Sequence, residues 1–186
     1  MAEDTVLTEL DYRAGAEYLK ALQSLRFQPD VLCWSNELLD IEDVGAGTEK
    51  RLTIISSLVD AVGAKAIYEL LFQAYDASAT PKEIDPFIVS IYSPKSIAGM
   101  QVLNMLTGDM LKIADQKVKE AREQGQSSTG TALIPAVAWP ADGMPVIPQV
   151  MPMLEGIYMV RKGKISTVHD RTRFDRFRQQ VEKLAA

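Results

Sequence analysis

The sequence predicts an α+β protein: an N-terminal helical hairpin, a small mixed β-sheet packed by helices, and a C-terminal β-hairpin followed by a terminal helix. Three observations carry this. Apolar residues recur at helical spacing near both ends, two β-branched runs flank a helical segment in the middle, and two β-rich runs enclose Lys162-Gly163. At 186 residues, 47% hydrophobic and 24% charged, the chain can bury a sizeable core and has the composition of a folded protein. One domain over 1–186 is expected, with the connector GQSSTG (125–130) as the candidate sub-boundary.

The elements follow in order. Thr8-Glu9-Leu10-Asp11 reads as a capping box with Asp in place of Glu, and Gly15, Tyr18, Leu22 and Leu25 share the face of the helix behind it. In FQPDVLCWSNELLDI, Pro29 suits a first helical position. Val31, Trp34 or Ser35, Leu38 and Ile41 trace one face of a second helix, completing the hairpin. IEDVGAGTEKR is a loop, and Gly45, Gly47 and Lys50 do not fit the spacing of a phosphate-binding loop. RLTIISSLV reads as a strand, with a helix starting at Thr48 as its rival.

After Gly63, AKAIYELLFQAYDA is a helix with Ile67, Leu70, Leu71 and Ala74 inward. DPFIVSIYSP is then a second strand between Pro86 and Pro94, giving a strand–helix–strand unit open to parallel pairing. From Pro94 a helical pattern runs to Gln124 and can break at Thr107-Gly108-Asp109. Met110, Ile113, Lys117 and Val118 lie near one face of its second half, which is either core or a dimer seam.

Residues 132–154 carry Asp142 as their sole charge, with prolines at 135, 140, 145, 148 and 152. The prolines argue against a membrane-spanning helix and for extended edge or covering segments, either a lid or a partner surface formed by Trp139, Met144, Val146, Ile147, Met151 and Met153. GIYMVRKGKISTVH reads as a hairpin that pairs Val160 with Ile165. It sets Tyr158, Val160 and Ile165 on one face and Ile157, Met159 and Val168 on the other. The last helix has Phe174, Phe177, Val181 and Leu184 as its inner stripe.

Charge narrows the function classes. A net charge of −5 repels nucleic acid and anionic membrane overall, so contact with a polyanion has to be local. Residues 1–50 hold eleven acids and four bases, whereas 161–183 hold eight bases and three acids; the two ends can neutralise each other or be solvated separately. Arg161, Lys162 and Lys164 crowd the hairpin tip, and Arg171, Arg173, Arg176 and Arg178 lie on the last helix. Arg171 and Arg173 stand at the end where the helix dipole disfavours cations, so an acidic neighbour or an anionic partner is needed to explain them.

Cys33 is the only cysteine and His169 the only histidine, which excludes an intramolecular disulfide and a Cys/His zinc site within one chain. His169-Asp170 is the general-base candidate, but adjacent residues at a strand end point apart. Glu42, Asp43, Glu83 and Asp85 are carboxylates that only the fold can bring together. No catalytic residue, metal or cofactor is assigned. The expectation is a cytoplasmic, non-enzymatic interaction or adaptor protein, with a protein partner or itself as ligand and no membrane. A nucleic-acid-binding accessory protein using the C-terminal basic face is one alternative, and a small carboxylate- or metal-dependent hydrolase the other.

Overall fold

A computed structural model describes residues 6–38, 48–106, 150–160 and 169–185. These form helix α1 (Glu9–Ser24), strands β1 (Val31–Leu38) and β2 (Thr48–Ile55), helices α2 (Leu58–Val62) and α3 (Ala64–Asp76), strand β3 (Val89–Tyr92), helix α4 (Ile97–Leu106), strand β4 (Val150–Val160) and helix α5 (Asp170–Ala185). The four described strands form one mixed sheet in the order β3-β2-β1-β4. β1 pairs antiparallel with β2 and β4, while β2 and β3 are parallel. The fold is α+β.

α1 begins as its cap dictates. The Asp11 N–H donates to Thr8 Oγ1 (3.2 Å), and Asp11 Oδ2 accepts from the Thr8 N–H (2.8 Å). β2, α2, α3 and β3 make the parallel unit, and 48–55 is a strand rather than a helix. Gly63 joins α2 to α3 at φ +80°, ψ 153°, a conformation that a side chain strongly disfavours.

The expected second helix of an N-terminal hairpin is instead β1. Its first four residues, Val31 to Trp34, are buried on both faces, so no polar position marks a period of two; Pro29 precedes the strand rather than starting a helix. A short run apolar on both sides has no periodicity to distinguish strand from helix.

The alternation expected for 157–160 is also corrected. Leu32 pairs with Met159 and Cys33 with Ile157, so Tyr158 is an extra residue in a β-bulge. Tyr158 and Met159 consequently pack on one core, and Ile157 and Val160 on the other. The expected Val160–Ile165 pairing and its turn lie outside the described residues, as do Met110, Ile113, Lys117, Val118 and the connector 125–130. Pro152 lies in β4 next to a second register shift, where a lost ladder bond is tolerated.

The sheet separates two cores. On one side Leu32, Trp34, Leu52, Ile54, Val89 and Ile91 meet α1, α3 and α5. On the other, Val31, Cys33, Ile55 and Val150 meet Ala98, Val102 and Leu106 of α4. α5 docks through Phe174, Phe177 and Val181, with the Phe177 ring 4.9 Å from that of Phe27; Leu184, expected inside, is 47% exposed.

Candidate functional site

α4 has an unusual composition for a surface helix. From Ser96 to Gly108 the sequence carries no charge. Ser96 starts the helix by accepting the Gly99 N–H on its hydroxyl (3.1 Å). Ala98, Gly99, Val102 and Leu106 face the sheet. On the opposite side Ile97 is 51% exposed, Met100 is 45% exposed and Asn104 is exposed. Other exposed apolar side chains among the described residues sit in different elements: Val6 before α1, Leu10 in α1, Phe87 against Phe72, and Leu184 near the chain end. A single exposed apolar residue is ordinary; two on one charge-free helical face form a patch.

Gly99 sets how closely this helix approaches its neighbour. A Cβ on Gly99 would lie 1.9 Å from the Ser93 carbonyl oxygen. The turn holding Ser93 is itself braced: the Ser93 hydroxyl donates to Asp60 Oδ1 (2.5 Å), and Lys95 pairs with Asp60 (3.2 Å). The outward face of α4 is thereby fixed relative to the sheet.

The expected basic site is divided. Arg173 donates to Asp170 Oδ1 (2.8 Å), the Gln28 carbonyl (2.7 Å) and Ser57 Oγ (3.4 Å), stapling α5 to the turn before β1. An acidic neighbour in the same chain thus accounts for this arginine. Arg178 pairs with Asp175 (2.9 Å) and, at 3.9 Å, with Glu182. Arg171 and Arg176 are exposed. At about 100° per residue, Arg171 and Arg178 lie within about 20° of each other around the helix, whereas Arg176 is about 140° away, so the helix presents no single arginine stripe. Arg161, Lys162 and Lys164 lie outside the described residues.

Asp11 pairs with Lys50 (2.6 Å) and Arg173 with Asp170 (2.8 Å).

Of the expected partner surface, Trp139, Met144, Val146 and Ile147 lie outside the described residues. Met151 is half-buried, and Met153 is buried in the main core rather than displayed.

The catalytic candidates are placed as follows. Cys33 is buried in a strand, not a helix, and burial pushes its thiol up to about 12, away from thiolate chemistry. His169 is exposed, and one carboxylate oxygen of the adjacent Asp170 is held by Arg173. Asp85 caps the turn Pro86–Ile88 by accepting the Phe87 N–H (2.9 Å). Glu83 is exposed, and Glu42 and Asp43 lie outside the described residues. Among the described residues, no three of His, Cys, Asp and Glu converge to hold a metal ion.

Two polar clusters were hidden by the helical reading of β1. The first lies on the α4 side of the sheet, beyond the helix. Ser35 and Thr53 hydroxyls meet at 2.5 Å, Thr53 donates to Glu37 Oε1 (3.4 Å), and Arg51 lies 3.7 Å from Glu37 and 2.7 Å from Glu49. Burial, reinforced by the Glu37 charge, pushes the Tyr92 phenol up to about 12. The signal available in the sequence was alternation, Cys33-Ser35-Glu37 against Arg51-Thr53.

The second cluster clamps α1 to the sheet. Trp34 Nε1 donates to Tyr158 Oη (3.0 Å) and to the Asp11 carbonyl (3.2 Å), while the Tyr158 hydroxyl donates to the Tyr12 carbonyl (3.1 Å). The Tyr12 hydroxyl donates to Glu155 Oε2 (2.7 Å). Beside it, an open hollow of about 520 Å³ is lined by Glu9, Leu10, Tyr12 and Arg13.

Asp11 ties this clamp to pH. Burial alone would raise its pKa, but Lys50 at 2.6 Å and the hydrogen bonds from Thr8 outweigh it, leaving the group below the ordinary 3.8. A depressed carboxylate stabilises the fold above its unfolded pKa, and that stability is lost as pH falls through the lower folded value. Asp11→Asn is therefore expected to flatten the acid limb of the stability curve below about pH 4, measured by urea unfolding at a series of pH values. An unchanged limb would assign the acid sensitivity to other carboxylates.

Comparison of the chain with protein-family models, with characterised proteins and with solved structures found no match. No described helix is long and apolar enough to cross a membrane.

Proposed function

We propose that this chain is a non-enzymatic interaction protein that docks a polypeptide on the outer face of α4. The observation that carries the reading is the charge-free helix with Ile97 and Met100 half-exposed side by side. Interface cores are depleted of charge and enriched in methionine, and a flexible thioether adapts to an opposing surface. Burying the exposed parts of Ile97 and Met100 contributes about 1 kcal/mol each, enough for selectivity within a larger contact. The burial of Cys33 and the bonding of Asp85 and Asp170 in structural roles also favour binding over chemistry.

The test places a photoreactive methionine analogue at Met100, irradiates the protein in cells, and identifies cross-linked peptides by mass spectrometry. The expected result is one discrete polypeptide joined to α4, lost when Ile97 is changed to Glu. Diffuse labelling that Ile97→Glu leaves unchanged sinks the reading.

A further inference from the structure

We infer that the Tyr68 side chain closes the β3 edge of the sheet against strand addition, standing where a neighbouring strand would pair. β3 is the outermost described strand on its side, and its neighbour among the described strands is β2. An edge strand directs the N–H and carbonyl of every second residue away from its partner, and those groups are a template for another chain. In β3 the Tyr92 carbonyl accepts the Ser56 N–H at the end of β2 (3.0 Å). Ser90 is in step with Tyr92, so Val89 and Ile91 direct their polar groups outward.

The outward groups already have partners within the chain. The Val89 N–H donates to the Pro86 carbonyl, closing the short turn before the strand. The Val89 carbonyl accepts the Tyr68 hydroxyl (2.7 Å). The Ile91 N–H acts on the same phenol oxygen, opposing the rise in pKa that burial gives this group.

This arrangement copies one rung of a parallel ladder. In such a rung a residue of the next strand would donate to the Val89 carbonyl and accept from the Ile91 N–H, on either side of Ser90. A hydroxyl is both donor and acceptor, so the one oxygen of Tyr68 stands in for two backbone groups. The surroundings explain why closure matters. From Pro86 to Pro94 the chain carries no charge, and Phe87, just before the strand, is 74% exposed. An apolar, uncharged strand with open backbone groups invites pairing with other chains. The flanking prolines keep β3 short, a second device to the same end.

Tyr68→Phe keeps the ring and removes the hydroxyl. Tyr68 is half-buried, so the variant is expected to fold. The probe is a fluorescent peptide, FIVSIYS, which copies residues 87–93 and carries added lysines for solubility. Its binding is followed by anisotropy over protein concentrations from about 1 µM to about 1 mM, which brackets weak interactions. The variant is expected to bind the peptide at least about tenfold more tightly than the wild type, whose edge is closed. Tyr75→Phe is the control. It removes a hydroxyl from the same helix, one that donates to the Lys82 carbonyl (3.3 Å) outside β3, and is expected to behave as the wild type.

Amide hydrogen exchange reads the edge without any partner. The Ile91 N–H is expected to exchange up to about tenfold faster in Tyr68→Phe, the change that loss of one net hydrogen bond gives. Ser90 and Tyr92, bonded toward β2, are expected to keep their rates. Wild type that binds the peptide as tightly as the variant overturns the inference. So does a variant that binds no better than Tyr75→Phe, or an Ile91 N–H whose exchange is unchanged.

Discussion

Gly99→Ala is expected to destabilise the protein by about 3 kcal/mol, the upper range for overpacking. The added methyl would sit 1.9 Å from a carbonyl oxygen, and the atom it strikes belongs to the backbone rather than to the tip of a flexible side chain. Relief requires moving α4 or the Ser93 turn. The Ser93 carbonyl accepts the Ser96 N–H (3.1 Å) and hydroxyl (2.8 Å), and the Ser93 hydroxyl is bonded to Asp60, so moving the turn breaks several bonds. Moving α4 instead lifts Ala98 and Val102 off Val31, Cys33 and Ile55. Urea unfolding of wild type and variant measures the difference. A loss below about 1 kcal/mol would mean that α4 slides freely, and its outer face would then be poorly fixed for docking.

Trp34→Ala should lose about 3–5 kcal/mol, as large-to-small changes of buried aromatics do. Trp34 is 2% exposed and lies in the main core, where α1, β1 and the β4 bulge converge. Its Cδ1 lies so close to Gly156 that a Cβ there would come within 2.7 Å, so the indole fills the space that a missing side chain leaves. Trp34→Phe separates packing from hydrogen bonding. It keeps much of the ring volume but removes the N–H that reaches Tyr158 and the Asp11 carbonyl, and is expected to lose about 1–2 kcal/mol. Equal losses for Ala and Phe would assign the role of Trp34 to its N–H; a negligible loss for Phe would assign it to packing alone.

The regions where sequence and structure agree share a cause. The capping box at Thr8 and Asp11, the helix over 64–76 and its inward stripe, and the Phe174–Phe177–Val181 stripe of α5 all depend on residues within a turn or two of one another. β1 failed because Val31 to Trp34 are buried by helices on both faces, which erases the alternation that would have named it a strand. With that strand misread, the row Ser35, Thr53, Glu37 and Arg51 stayed invisible, since those residues meet only across paired strands. The bulge at Tyr158 exchanged the faces of two residues for a similar reason: register belongs to the pair of strands, not to one of them.

On α4 the division is sharper. Its lack of charge is written in the sequence, but apolar residues surround the helix, so periodicity does not say which side is covered. Only the position of the sheet, and the close approach at Gly99, decided that Val102 is core while Ile97 and Met100 face outward. On α5 the sequence determined that the arginines needed partners, because the helix dipole opposes them at the N-terminus. The tertiary structure chose the partners for Arg173: the Asp170 carboxylate, together with the Gln28 carbonyl and the Ser57 hydroxyl, which chain folding brings to the start of the helix. Short-range forces act between residues the sequence already places side by side, and they are legible there. Burial, register and the choice of partner depend on which distant segments come to lie against one another.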